Sequence, residues 1–423
     1  MRRWNLSRYA ISSCVTAALL AGCGMPQSPI GPPGATSQTP GSAPARGAAH
    51  RLSASYQQLY RFRHGSRPTA ALIDVNGTLY GTTVQGGSRG SGTIYSVTTS
   101  GVHKLLYRFR GSSDGRTPHG LLNVNGTLYG TTTFGGDYSC GAGEGCGTVY
   151  SVSTSGAEKV LYAFKGGSDG EYPAGSLIDV KGTLYGTTGA GGGGCATDDE
   201  CGTVFSITTS GTEKVLHSFT YPPVDGNTPA AGLVDVNGTL YGTTTYGGAN
   251  LYFGMVFSVT TSGTEKELYS FGGGSDGAHP AGASLIDANG TLYGTTPEGG
   301  TGCITGHSGH FAGCGTVFAV TTSGQETVLH RFGGGGGDGV TPDAGLTDVS
   351  GTLYGTTYEG GANGGGTVYS ISTSGGETTL YSFGREPDGD GPLASLLNVN
   401  GTLYGTTAFG GRHGHGTVFT LTP

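Results

Sequence analysis

Charge is scarce in this sequence. Asp, Glu, Lys and Arg make up 12% of 423 residues, about half the usual share. No charge run or basic patch is present, which argues against nucleic acid as a partner. Tryptophan is nearly missing, the single one being Trp4. No helical period runs through the chain after residue 55. Gly does not fall at every third position, so a collagen-like chain is excluded. There is no Ser elbow, P-loop or dinucleotide fingerprint.

Glycine is the abundant residue, with 87 copies, about one in five. With 18 Pro this borders on low-complexity composition. The 23 Tyr and 15 Phe argue the other way, because they supply enough apolar surface to fold.

The first residues read as an export signal. Arg2, Arg3 and Arg8 precede a mostly apolar stretch, Tyr9 to Leu20, too short to anchor stably as a spanning helix. It ends in Leu20-Ala21-Gly22-Cys23, which resembles the lipobox of bacterial lipoproteins. That resemblance implies cleavage after residue 22 and a lipid on Cys23. Gly24 follows, not the Asp that retains such proteins at the inner membrane, so an outer-membrane or surface address is expected. Losing residues 1–22 removes three Arg and no acid, shifting the formal charge from −7 to −10. So acidic a chain suits anionic headgroups poorly, leaving the lipid as the membrane contact. Residues 23–55 are rich in Pro, Gly, Ser, Thr and Ala and read as a flexible tether, roughly 30 Å on average.

The remainder, 56–423, is one unit repeated seven times. Gly-Thr-Leu-Tyr-Gly-Thr-Thr begins at Gly77, Gly126, Gly182, Gly238, Gly290, Gly351 and Gly401, a mean spacing of 54. Periods near 50 indicate propellers or arrays. In the first unit Leu72–Val75 alternates and runs into Asn76-Gly77, a strong two-residue hairpin signal. Thr78–Thr83 is the next strand, Thr93–Val97 a third, and Lys104–Phe109 a fourth. Four short antiparallel strands make one propeller blade. Leu59–Phe62 matches a fourth strand that has no first three, and Gly416–Leu421 a third strand that has no fourth. Pairing them closes a ring and removes two sheet edges. The expected fold is therefore all-β: a seven-bladed propeller of four-stranded antiparallel blades, closed by the N-terminal strand on the C-terminal blade. An open solenoid or β-helix explains neither the Asn-Gly hairpins nor the matched ends.

Asn-Gly-Thr-Leu-Tyr-Gly-Thr-Thr, then Gly-Gly, Gly-Thr-Val-Phe/Tyr-Ser-Val and Thr-Ser-Gly, resemble the GloVer tandem repeat of exported "choice-of-anchor" proteins. The resemblance covers all seven units. It implies an exported, surface-attached repeat protein and brings no catalytic residues. Kelch repeats share the period and a Gly-Gly pair, but their Trp is missing here. Asp-Val-Asn-Gly-Thr resembles the Asp box of sialidases only weakly, since the Ser and Trp positions differ.

Variation collects after Gly-Thr-Thr. That loop has eight residues in unit one (Val84 to Ser91) but 14, 13 and 18 in units two, three and five. These loops and the blade-to-blade loops share a face, opposite the hairpin turns. Variable loops on a rigid scaffold commonly carry binding sites. Candidates on this face are Phe134, Tyr138, Glu144, Asp198, Asp199, Glu200, Tyr246, Tyr252, Glu298, His307, His310, Glu359 and His413. Each long loop holds two Cys: Cys140 and Cys146, Cys195 and Cys201, Cys303 and Cys314. Local disulfides are expected in an exported protein. Cys303, His307, His310 and Cys314 could instead ligate zinc. The sister loops have paired Cys without His, which favours the disulfide.

Asp114, Asp169, Asp225, Asp276, Asp338 and Asp388 each precede Gly between blades. They could form a cation-attracting ring, but Asp-Gly also simply makes a turn. Repetition favours the turn, and equally a packing role for Tyr80 and its equivalents. The expected function is a monomeric, cofactor-free binding or adhesion module for glycan, protein or matrix. The alternatives are a carbohydrate hydrolase or lyase with loop acids over the channel, and a structural envelope component.

Overall fold

The computed structural model describes residues 54–423, except 64, 139, 141–142, 194–200, 221–224, 281, 283, 301–302, 304–312, 334, 336 and 385. Cys23 lies outside them. Among the described residues there is no α-helix.

Each blade is a sheet of strands A to D. In blade 1 these are Ile73–Val75, Thr78–Thr83, Thr93–Thr98 and His103–Arg108. Blades 2 to 6 repeat the order over 122–163, 171–218, 234–270, 286–331 and 347–382. Blade 7 takes strands A to C from Leu397–Val399, Thr402–Thr407 and Thr417–Thr422, and strand D from Ser55–Arg61. That last strand pairs antiparallel with Thr417–Thr422.

The A–B turns are built as the Asn-Gly signal requires. Asn76 has φ 54° and Gly77 φ 79°, both in the left-handed region of a type I′ turn. Asp179, Asp235, Asp287 and Asp348 brace these turns by accepting the N–H of the Gly three residues on. At the other end of strand B, the last Thr bonds the first Thr of strand C through their buried hydroxyls, as in Thr83 and Thr93 at 2.7 Å. Five other blades repeat this pair. In blade 4 Met255 stands in place of the second Thr.

The apolar core lies between blades. Among the described residues seven buried clusters occur, and each joins residues of two consecutive blades, blades 7 and 1 included. At every junction a Phe just after strand D meets the strand C aromatic of the next blade edge-to-face. Phe62–Tyr95, Phe164–Phe205 and Phe332–Tyr369 have centroids 5.0, 5.1 and 5.2 Å apart. Such pairs add about 0.5–1.5 kcal/mol beyond their buried area. The Gly of Leu-Tyr-Gly makes room for that ring, since it pairs across the ladder with it, as Gly242 with Phe257. A methyl on Gly242 would stand 2.6 Å from the Phe257 ring. Tyr80 and five equivalents are buried, as a packing role demands, and Tyr354 is half-buried.

Candidate functional site

The variable face is assembled by one recurring clamp. Each blade-to-blade connection carries an X-Pro step, just before strand A or, in blade 3, within it. Thr117, Tyr172, Thr228, His279 and Thr341 all hold φ between 55° and 60° there. A side chain in that region is uncommon and carries strain unless its surroundings fix it. Here its N–H donates to the carbonyl just before strand C of the preceding blade: Tyr172 to Cys146, Thr228 to Cys201, His279 to Phe253 and Thr341 to Cys314. The second Cys of each long loop thus anchors the next blade, and Cys146 and Cys314 also close their own loops.

The cysteines pair locally where described. Cys140 bonds Cys146 and Cys303 bonds Cys314, with Cα atoms 5.2 and 5.4 Å apart. Cys201 is disulfide-bonded. The zinc alternative at Cys303 and Cys314 is thereby overturned, because disulfide sulfur is no thiolate ligand. Cys195, Asp198, Asp199, Glu200, His307 and His310 lie outside the described residues.

Two predicted residues meet through a third that sequence reasoning missed. Glu298, after strand B of blade 5, bonds His279 Nδ1 through Oε2 at 2.8 Å. The Tyr246 ring lies edge-on to His279 with centroids 5.2 Å apart, and Phe253 flanks the same imidazole. Asp343, which follows the Pro of the next loop, extends the group. Burial pushes its carboxyl up to about 7, and the neighbouring Glu298 charge adds to the rise. Burial likewise raises the Tyr358 phenol, with Glu359, Asp390 and Asp343 contributing. Blades 4 to 6 therefore carry a continuous arc of Tyr246, Phe253, His279, Glu298, Asp343 and Tyr358.

Tyr246 of this arc reaches solvent, and so do two residues of the same blade 4 loop. Tyr246, Leu251 and Tyr252 are 45%, 39% and 64% exposed, unusual for large apolar side chains in so well packed a chain. Tyr138 in blade 2 is 49% exposed and donates its hydroxyl to the Gly111 carbonyl. Chemically, the arc offers aromatic faces beside a His–carboxylate pair and a carboxyl that holds its proton near neutrality.

Other candidates form separate groups. Phe134 stacks under Arg116 and edge-on to Tyr172, and Glu144 pairs with Arg116. Nearby, His119 Nε2 bonds Thr133, and burial lowers this imidazole to about 4. Glu359 is exposed. His413 lines a groove of about 540 Å³ on blade 7 with Tyr60, Arg61, Arg63 and Arg412, and not the arc. The signal for His279 and Asp343 lay in the residues flanking each Pro. The first reads Arg67, Thr117, Tyr172, Thr228, His279, Thr341 and Gly391 around the ring, and the second Thr69, His119, Ala174, Ala230, Ala281, Asp343 and Leu393, five residue types at each.

The chain belongs to the Gloeobacter/Verrucomicrobia repeat family, whose model matches residues 139–307 and 303–423. A search of the curated proteins finds no match. Among solved structures, the quinohemoprotein alcohol dehydrogenase of Comamonas testosteroni is similar, with TM-score 0.51 and 12% identity over 87% of this chain and 76% of that one. A luciferin-regenerating enzyme gives TM-score 0.43 and 15% identity over 74% and 92%. The tricorn protease gives TM-score 0.40 and 10% identity over 80% of this chain, which spans only 27% of that structure. At these identities the likeness concerns fold alone.

Proposed function

We propose that this member of the Gloeobacter/Verrucomicrobia repeat family is an exported, lipid-anchored binding module that takes carbohydrate on its variable-loop face. The observation that carries this reading is exposed Tyr246 beside His279 and Glu298, with Tyr252 exposed in the same blade 4 loop. Aromatic faces pack on sugar C–H surfaces, and carboxylate and imidazole bond hydroxyls. The X-Pro clamp holds the site rigid, which limits the ordering cost of binding. Disulfides in two loops support an oxidising, extracytoplasmic compartment. The lipid is proposed on Cys23 from the Leu-Ala-Gly-Cys motif.

A second reading, carbohydrate hydrolysis or elimination, is favoured by one pair. Glu298 and Asp343 are neighbouring carboxyls, and the raised Asp343 keeps a proton to donate near neutral pH. A glycan array run beside a hydrolysis screen decides between the two. Retention without product supports the module, and product release that stops in Asp343→Asn supports the enzyme. No retention and no product rejects both. Labelling with a radioactive fatty acid, lost in Cys23→Ser, tests the anchor.

A further inference from the structure

The outer edge of the blade junctions repeats a three-residue cluster. A Tyr or His near the end of strand D meets the Asp of the following Asp-Gly turn and a Glu at the start of strand D in the next blade. Three junctions use Tyr. Tyr107, Tyr162 and Tyr269 donate to Asp114, Asp169 and Asp276 at 2.8, 2.7 and 3.0 Å. Two junctions use His instead. His217, Asp225 and Glu265 form one group, and His330, Asp338 and Glu377 the other. In each, one ligand-type atom per residue lies within 4.8 Å of the other two.

At the second His junction the His330 imidazole does not reach its Asp. Its Nε2 stops 3.7 Å from Asp338 Oδ1, beyond hydrogen-bond range. That nitrogen is enclosed and has no hydrogen-bond partner. Asp338 is held in place by the N–H groups of Gly333 and Gly339. Two ligand atoms about 2.0–2.2 Å from a tetrahedral ion stand about 3.3–3.6 Å apart. The His330–Asp338 separation is close to that spacing. At the sister site His217 Nε2 is hydrogen-bonded to Asp225 Oδ2 at 3.1 Å, a bond that an ion would replace, and Glu265 Oε1 is enclosed without a partner, as are Glu158, Glu213 and Glu326 Oε1 at the Tyr junctions.

The geometry points to two divalent transition-metal sites, His217/Asp225/Glu265 and His330/Asp338/Glu377, each joining two neighbouring blades. Mixed imidazole and carboxylate donors suit Zn²⁺ and its first-row neighbours better than Ca²⁺ or Mg²⁺. An ion bound only by the folded ring stabilises it by mass action. The three Tyr junctions act as internal controls on the same backbone.

Zn²⁺ titration of the chelator-stripped full chain by calorimetry, at neutral pH, tests this. Two equivalents are expected, with a rise in Tm. His217→Tyr and His330→Tyr install the residue of the sister junctions, and each should remove one equivalent. Glu265→Gln and Glu377→Gln keep both rings and should weaken their sites at least tenfold, which covers a Tyr variant that does not fold. Uptake that is nil, or that is equal in the wild type and in the double Tyr variant, overturns the assignment.

Discussion

The backbone N–H of Thr341 donates to the carbonyl of Cys314 at 2.9 Å, across the junction of blades 5 and 6. Cys314 is also bonded to Cys303. The same residue therefore closes an 11-residue loop and holds the neighbouring blade. Replacing Cys303 and Cys314 by Ser should cost about 2–3 kcal/mol from the chain-entropy term. Urea unfolding of the double variant measures it. No change in midpoint would show that the clamp holds without the bond.

Three strand C aromatics are Tyr, and their hydroxyls are buried without partners: Tyr95, Tyr150 and Tyr369. Four sister blades carry Phe at that position. Each Tyr→Phe change should stabilise by about 1 kcal/mol, because a desolvated hydroxyl is removed and nothing else is lost. Thermal melts of the three variants provide the check, and a fall in Tm would contradict it.

Gly242→Ala should do the reverse. The added methyl would lie 2.6 Å from Phe257 and 2.9 Å from Leu233. Overpacking of this kind costs about 1–3 kcal/mol. Denaturant titration should show the loss, and the paired Gly242→Ala, Phe257→Leu variant should recover part of it.

Stability should fall from mildly acidic to neutral pH. Burial pushes the Glu213 carboxyl up to about 7, aided by Asp169 and opposed by Tyr162 and Lys165. Burial does the same to Glu326, aided by Asp276 and opposed by Arg331. A carboxyl raised on folding contributes stability that is present below its ordinary 4.5 and is lost as pH rises through about 7. The Tm of Glu213→Gln should match the wild type at pH 4.5 and exceed it at pH 8. An identical pH profile for both would refute the assignment.

At the candidate site, His279→Ala leaves Tyr246 without its edge-on partner and Glu298 without its bonded imidazole. Ligand binding should weaken about tenfold or more, as for a central contact. Tyr138→Ala, in blade 2, should change it little. Equal effects from both would point to a site elsewhere on the face.

Much of the ring was legible because each turn is announced locally. Asn76-Gly77 states its own backbone angles, and strand positions followed within a residue or two. The Asp-Gly turns were half legible. That Asp114 accepts a backbone N–H is a local rule, and Arg110 supplies it. That it also accepts the Tyr107 hydroxyl depends on strand D passing beside the turn, which no spacing encodes. The partner of each core ring was hidden for the same reason. Phe164 faces Phe205 of the next blade, and a two-residue period shows that a face is apolar without naming what covers it. His279 and Asp343 escaped because attention to long loops overlooks single substitutions beside a recurring Pro.

The outermost strand of blade 7 consists of residues 55–61, yet its partner is 417–422. During synthesis this strand leaves the ribosome more than 350 residues before the strand it needs. At about 5–20 residues per second the delay is tens of seconds. Until Thr417–Thr422 is available its backbone N–H and C=O groups have no ladder partner, so blade 7 cannot close before the whole chain is present. Assembly is thus a queue with its first member waiting for the last, and a chaperone that shields Ser55–Arg61 would act on that wait.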